Sequence, residues 1–128
     1  MIVVDTSVWI AAQRQPLVAD TLRQLLDADD VALALPVRLE LWAGVARHQR
    51  KAYGKHLSSL PQLYPTEETW QEMLGRIQRA ADAGERFGLA DMLIASLSDE
   101  IGGLVWTFDK AFERMEQLKL VSLYSLPH

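Results

Sequence analysis

The feature that most constrains the fold is the alternation of short uncharged runs with amphipathic segments along the whole chain. The runs IVV at 2–4, VALAL at 31–35 and LVWTF at 104–108 have the length and apolar content of strands buried on both faces. Between them, apolar residues recur every three or four positions, which is typical of helices. Strands that alternate with helices pair in parallel and carry helices on the sheet faces, so the sequence predicts an α/β protein.

The remaining elements are predicted from periodicity and from residues that begin or end helices. Helices are predicted after Asp5, over 16–30, from Pro36, over 66–84, over 89–101 and over 109–115. A weak strand is predicted at 62–65 and a last strand at 120–126. In the helix after Pro36, the pattern predicts one apolar stripe formed by Leu39, Trp42, Ala43 and Ala46.

Composition limits the classes of protein and of chemistry. A chain of 128 residues with 49% hydrophobic residues fits one folded domain over 1–128. The sequence has no cysteine, which excludes disulfides, thiolate zinc sites and cysteine nucleophiles and fits a reducing compartment. No basic leader and no long apolar stretch are evident, so a cytoplasmic protein is expected. The net charge of −4 argues weakly against broad nucleic-acid binding, although grouped carboxylates also make a chain acidic.

Four acids occupy positions where α/β proteins place their chemistry. Asp5 follows the first strand and Asp109 follows the fourth, and ligands of parallel sheets bind beyond the carboxyl ends of the strands. Glu40 and Asp91 lie in early helical turns within the apolar stretches VRLELWAG and GLADMLIAS. Each acid alone is as typical of a helix cap or a turn, and the chain has 17 acids. Their matching contexts favour a carboxylate cluster.

Such a cluster favours a divalent cation. Carboxylates within a few ångströms of one another repel, and a bound cation relieves the repulsion. Ligands that are all oxygen indicate Mg²⁺ or Mn²⁺ rather than zinc or copper. A water on such an ion can act as the nucleophile in phosphodiester hydrolysis, so no side-chain nucleophile is required.

The motifs that carry these acids resemble those of a known family. IVVDTSVWI, LPVRLELWAG, LADMLIAS and VWTFDKAF are similar, in order and separation, to the four acidic motifs of PIN-domain ribonucleases. The length, and the Asp-Thr-Ser sequence close to the start, resemble VapC toxins of bacterial toxin–antitoxin pairs. The resemblance covers nearly the whole chain. It implies a single three-layer α/β/α PIN-like domain with a five-strand parallel sheet in the order 3-2-1-4-5.

The resemblance also implies an active site, a cofactor and partners. The implied catalytic residues are Asp5, Glu40, Asp91 and Asp109, with Asp5, Asp91 and Asp109 as metal ligands. Thr6 and Thr107 match hydroxyls that support such sites. The implied activity is Mg²⁺- or Mn²⁺-dependent endoribonuclease cleavage of RNA. The implied partners are an RNA substrate, a VapB-like antitoxin that covers the active-site groove and a second copy of the chain in a homodimer.

Other features have two interpretations. The segment 47–56 holds four Lys and Arg residues and two of the three histidines, and it is either a contact for RNA phosphates or a solvated helix face. Those histidines, His48 and His56, also raise the possibility of acid–base chemistry without metal. Trp9 and Trp42 are predicted either in the core or against an antitoxin. Trp70 and Trp106 are predicted in the core.

The residues at the same positions exclude two other enzyme and signalling classes. A receiver domain needs an acidic pair after strand one and a lysine after strand five, and this chain has neither. A phosphatase with an aspartate nucleophile needs a second aspartate two residues after the first, and two residues after Asp5 this chain has Ser7. Both alternatives fail. A PIN nuclease of RNA processing and a PIN-like domain that only binds RNA or protein stay open.

Overall fold

The computed structural model describes residues 1–126 and contains a parallel sheet in the order β3-β2-β1-β4. The strands are β1 (Ile2–Val4), β2 (Val31–Ala34), β3 (Gln62–Leu63) and β4 (Leu104–Trp106). Ile2 lies opposite Val31 on one side and opposite Leu104 on the other. All residues of β1 and β2 are buried, as expected for strands covered on both faces. The α/β class and the order of the first four predicted strands are confirmed.

The predicted fifth strand at 120–126 is wrong. This segment runs beside β4 and makes a single parallel bridge, between Val105 and Leu123. The Val105 N–H donates to Ser122 O at 2.9 Å, and the Tyr124 N–H donates to Val105 O at 2.8 Å. On the outer side, the Leu123 N–H donates to the Glu116 carboxylate at 3.0 Å. Pairing stops because β4 itself ends after three residues.

The helices follow the predicted pattern with shifted ends. None of them, within residues 1–126, is long and apolar enough to cross a membrane. Pro16 begins α2, where its missing N–H costs nothing. Thr66 caps α5 through a reciprocal pair of hydrogen bonds with Thr69. The helices are α1 (Thr6–Ala12), α2 (Pro16–Asp27), α3 (Leu35–Gly44), α4 (Arg50–Ser58), α5 (Glu67–Asp82), α6 (Leu89–Glu100) and α7 (Ala111–Gln117), with a 3₁₀ turn at Arg47–Gln49.

The apolar stripe predicted in this part of the chain is exposed, with Leu39, Trp42 and Ala43 on α3 and Ala46 just beyond it. The helix begins at Leu35, directly after β2, and its buried residues are Pro36, Val37 and Leu41. Leu39 and Trp42 are 58% and 43% exposed. Val37 and Leu41 are four positions apart and share one face, and Leu39, midway between them, lies about 200° around the helix. The apolar residues of α3 therefore form both an inward face and an exposed one.

A buried arginine fixes α6, the helix that carries Asp91. Arg76 of α5 is 5% exposed, and its guanidinium donates to Asp99 of α6 and to the carbonyl oxygen of Leu120. A buried guanidinium is costly unless it is paired, so these contacts hold α5, α6 and the last segment in one arrangement. These contacts anchor the C-terminal end of α6, since Asp99 is its last residue but one.

Candidate active site

Asp5 lies at the carboxyl end of β1, and one of its carboxylate oxygens is fully engaged. Its N–H donates to Trp106 O at 2.9 Å, which extends the sheet pairing to the last residue before the turn. Its side chain is only 7% exposed. Oδ2 accepts hydrogen bonds from the hydroxyls of Ser7 and Thr107, both at 2.8 Å. These two donors fix the carboxylate and leave Oδ1 as the oxygen that can bind another group.

Ser7 is a site residue that the sequence analysis missed. Its hydroxyl donates to Asp5 and accepts the N–H of Phe108 at 3.1 Å, so it joins the start of α1 to the turn after β4. Thr6, the hydroxyl predicted to support the site, makes no hydrogen bond of normal geometry within residues 1–126, although its oxygen is buried. The Asp-Thr-Ser sequence contained both hydroxyls, but only their packing shows which one reaches Asp5.

Thr107 connects two of the predicted acids. It donates to Asp5, and its oxygen accepts the N–H of Asp109 at 3.0 Å. Asp109 in turn accepts the N–H of Ala111 at 3.0 Å on Oδ1, which shapes the turn that leads into α7. Asp109 is exposed, and Thr107 is half-buried. The predicted support by Thr107 thus has a geometric basis in its two hydrogen bonds, to Asp5 and from the N–H of Asp109.

Asp91 carries the strongest electrostatic signal of the four acids. It lies in the first turn of α6 and is half-buried. Burial raises the pKa of its carboxyl, and the negative charges of Asp109, Asp5 and Glu40 raise it further, to about 6. An acid whose pKa responds to all three other acids shares one electrostatic field with them. The structure therefore places the other three acids near enough to Asp91 to act on its charge.

Glu40 projects from the second turn of α3 towards the same field. The side chain is exposed overall, but partial burial of its carboxyl raises its pKa, and the charge of Asp5 adds to the rise. The Thr6 hydroxyl faces Glu40 and opposes this shift. Glu40 is thus the most accessible acid that is electrostatically linked to the buried Asp5.

The donor chemistry of the cluster fits a hard divalent cation. The groups whose charges act on Asp91 are carboxylates, and oxygen ligands suit Mg²⁺ and Mn²⁺. Within residues 1–126, no three acidic or histidine side chains converge tightly enough to form a ready-made chelate. Mutually repelling carboxylates stand apart, and a cation among them would remove the repulsion that raises the pKa of Asp91.

Comparison with known proteins identifies the family. The model of the PIN domain matches residues 2–118. The chain belongs to the PIN domain family. This confirms the family that the four acidic motifs predicted. No curated protein matches the sequence.

Solved structures share the fold of this PIN domain. It is similar to VapBC2 from Rickettsia felis bound to a promoter DNA fragment, with a TM-score of 0.78 and 18% identity over 99% of this chain and 100% of that one. It is also similar to VapBC-1 from nontypeable Haemophilus influenzae, with a TM-score of 0.76 and 20% identity over 98% of both chains. For FitAcB from Neisseria gonorrhoeae, the TM-score is 0.74 and the identity 19%, over 98% of this chain and 97% of that one. At these identities the likeness shows the fold.

The tryptophans of the PIN domain divide between core and surface. Trp9 is 7% exposed and donates from Nε1 to Val4 O at 3.1 Å, and Trp106 is 2% exposed, so both belong to the core. Trp42 is 43% exposed and lines a depression with Leu39 and Tyr64. The prediction of a core position for Trp70 is wrong, because this residue is 50% exposed on α5.

The basic segment 47–56 forms the 3₁₀ turn and most of α4. Its Lys, Arg and His side chains are exposed, whereas Leu57, just beyond the segment, is buried and anchors the helix. A contact of this face with RNA stays a prediction.

Proposed function

We propose that this PIN domain is a Mg²⁺- or Mn²⁺-dependent endoribonuclease that acts as the toxin of a VapBC-type toxin–antitoxin pair. The observation that supports the proposal is the raised pKa of Asp91, which results from burial and from three further acids at the carboxyl edge of the sheet. Perturbed carboxyl groups in one cluster are typical of catalytic and metal-binding sites. The four-motif order and the family membership support the same activity.

In this proposal each acid has a role. Asp5, Asp91 and Asp109 hold the cation, with Asp5 binding through Oδ1 because Oδ2 is occupied by Ser7 and Thr107. A bound cation would neutralise phosphate charge and make its water more acidic. Glu40, exposed and with a raised pKa, accepts the proton of the attacking water at its carboxylate.

The surface beside the acids fits an antitoxin segment. Ile10 and Phe108 are 49% and 48% exposed and line a depression next to Ser7, together with Arg14. A VapB-like protein that presents apolar side chains to this depression and a basic side chain to the acids would cover the site. Two of the similar structures are named VapBC and a third FitAcB.

We further propose that the PIN domain forms a homodimer.

The experiment is cleavage of total cellular RNA by the purified protein, with Mg²⁺, Mn²⁺ or EDTA. Asp91→Asn is the test variant. Asp27→Asn is the matched control. It makes the same chemical change at an exposed residue, at the end of α2 and far from the carboxyl edge of the sheet. We expect metal-dependent cuts by the wild type and by Asp27→Asn, and none by Asp91→Asn.

The other outcomes separate the alternatives. Equal cutting by the wild type and Asp91→Asn would indicate contamination or a different site. The absence of cutting with any RNA or metal would favour a domain that only binds RNA or protein. Cleavage without growth arrest on expression, and without an adjacent antitoxin gene, would favour a nuclease of RNA processing.

A further inference from the structure

An arginine of α7 contacts the segment that leads into Asp91. The Arg114 guanidinium donates from Nε to the Glu85 carboxylate at 3.2 Å, and it lies over the Phe87 ring, 5.5 Å from the ring centre. Phe87 is partly buried and packs against the core. One cation therefore contacts two residues of the same short segment, through an ion pair and a cation–π interaction. We call Arg114, Glu85 and Phe87 the Arg114 clamp.

The backbone of the segment between α5 and α6 is weakly tethered. The N–H groups of Gly84 and Glu85 donate to carbonyl oxygens of the last turn of α5, at 2.9 and 2.8 Å. The N–H groups of Arg86, Phe87 and Gly88 donate to no backbone carbonyl within residues 1–126. The same residues line a depression of about 680 Å³ together with residues at the end of α5, so that side offers the segment little close packing. Its side-chain contacts therefore have an unusually large part in fixing its position.

The segment ends against the carboxylate of Asp91. Gly88 is the residue before α6, and a β-carbon built on it would lie 4.0 Å from Oδ2 of Asp91. The carbonyl oxygen of Gly88 accepts the N–H of Met92 at 3.0 Å, which closes the first turn of α6 around Asp91. A displacement of Phe87, the residue before Gly88, would therefore move the backbone against which the Asp91 carboxylate lies.

The other end of the clamp is fixed close to Asp109. The carbonyl oxygen of Asp109 accepts the N–H of Phe112 at 3.2 Å in the turn that begins α7. Phe112 and Met115 are fully buried, and Arg114 lies between them in the sequence. The core thus holds α7, and Arg114 extends from a fixed support. The clamp joins the segment before Asp91 to the helix after Asp109.

We propose that Arg114 is a positioning residue, which sets the separation of Asp91 and Asp109 for the cation that they share. The proposal rests on the proposed function, in which these two acids are metal ligands. Mg²⁺ and Mn²⁺ accept oxygen ligands only within narrow limits of distance and angle, and carboxylates that repel one another do not keep such a spacing by themselves. Because the two acids belong to different segments, their separation depends on contacts between those segments.

Geometry and charge predict opposite effects for the removal of Arg114. If only its charge mattered, the loss of a cation near the acids would strengthen the binding of a metal ion, and the loss of the Glu85 carboxylate would weaken it. In the clamp, the loss of either partner releases the segment and weakens binding. Arg114 and Glu85 are 47% and 32% exposed, so neither loss should destabilise the fold much.

The test is the binding of Mn²⁺ alone to the full chain, measured by the loss of the electron paramagnetic resonance signal of free Mn²⁺. We expect Arg114→Gln and Glu85→Gln each to raise the dissociation constant about tenfold, the low end of the effect of residues that support metal ligands. In EDTA, their thermal midpoints should fall by no more than about 4 °C. Arg23→Gln is the matched control, because Arg23 pairs with Asp20 on α2 at the same 3.2 Å. It should bind Mn²⁺ as the wild type does.

Exchange of the two charges tests the link itself. The double variant Arg114→Glu, Glu85→Arg has the net charge of the wild type and restores an ion pair between the same segments. It should therefore bind Mn²⁺ more tightly than either glutamine variant. Arg114→Lys keeps the charge with a different geometry and should lie between the wild type and Arg114→Gln. Circular dichroism checks that each variant is folded. If Arg114→Gln fails to fold, Glu85→Gln and the charge exchange carry the test.

Three results would overturn the proposal: unchanged or tighter Mn²⁺ binding by Arg114→Gln, an equal loss of affinity in Arg23→Gln, or a wild type that binds no Mn²⁺. RNA cleavage is measured separately. Mn²⁺ binding that depends on Arg114, in a protein that cuts no RNA, would remove the proposed activity and keep the clamp. Metal-dependent cleavage together with Mn²⁺ binding that Arg114→Gln leaves unchanged would do the reverse.

Discussion

Replacement of Asp91 by asparagine should stabilise the metal-free protein at neutral pH. In the folded state the pKa of Asp91 is raised from 3.8 to about 6. Such a rise corresponds to about 3 kcal/mol between the protonated and ionised forms. Because the carboxyl is only half-buried, solvent screening reduces this value to about 1–2 kcal/mol. The asparagine variant is uncharged at every pH and avoids the whole penalty.

The pH window follows from the same pKa. Below pH 3.8, Asp91 is protonated in both the folded and the unfolded state, so its charge takes nothing from the unfolding free energy. Between pH 3.8 and about 6, the unfolded chain releases its proton first, so stability falls as the pH rises. Above pH 6 the loss is complete. The advantage of Asp91→Asn over the wild type should therefore develop between pH 4 and 7.

The assay is thermal unfolding in EDTA at several pH values between 4 and 7.5. For a chain of this length, about 1–2 kcal/mol at neutral pH raises the midpoint by about 4–8 °C. Asp27→Asn removes an exposed acid and should change the midpoint little at any pH. A lower midpoint for Asp91→Asn at pH 7, or an increase of equal size at pH 4 and pH 7, would refute the shared field of acids.

Two further predictions concern the cation and the hydroxyls. At a Mg²⁺ concentration ten times its dissociation constant, the wild type should gain about 1.4 kcal/mol of unfolding free energy, and Asp91→Asn should gain much less. An unchanged thermal midpoint of the wild type at millimolar Mg²⁺ would argue against a preformed site. Ser7→Ala should cost about 1–2 kcal/mol in denaturant unfolding, because Asp5 and the Phe108 N–H lose a partner. Thr6→Val should cost under about 0.5 kcal/mol of unfolding free energy. Equal losses in Ser7→Ala and Thr6→Val would show that the hydrogen bonds of Ser7 do not stabilise the fold more than the Thr6 hydroxyl does.

The elements of this PIN domain could be predicted from sequence because they depend on local patterns. The uncharged runs predicted three of the strands, and the boundary residues Pro16 and Thr66 predicted helix starts that the structure confirms. The positions of Asp5 and Asp109 after strands followed from the same patterns. In a parallel sheet those positions meet at one edge, so the candidate cluster could be predicted as well.

The misassigned residues are those whose environment depends on distant parts of the chain. Trp70 is large and apolar, as core residues are, but α5 buries a different face. The packing of α5 on α6 and the pairing of Arg76 with Asp99 determine which face is buried. The exposure of Leu39 and Trp42 could not be predicted, because apolar spacing shows that a helix has apolar faces and does not show which one is covered.

The sequence by itself determined the order of the elements and placed four acids where strands end and helices begin. Only the tertiary structure decided that Ser7 rather than Thr6 holds Asp5, because Ser7 bonds Phe108, 101 residues away along the chain. It also decided that residues 120–126 make one bridge instead of a strand, since β4 ends at Trp106 and Thr107 is bonded to Asp5. Local patterns are set by neighbours in sequence, whereas a hydrogen-bond partner or a covered face is set by contacts that form only when distant segments pack together.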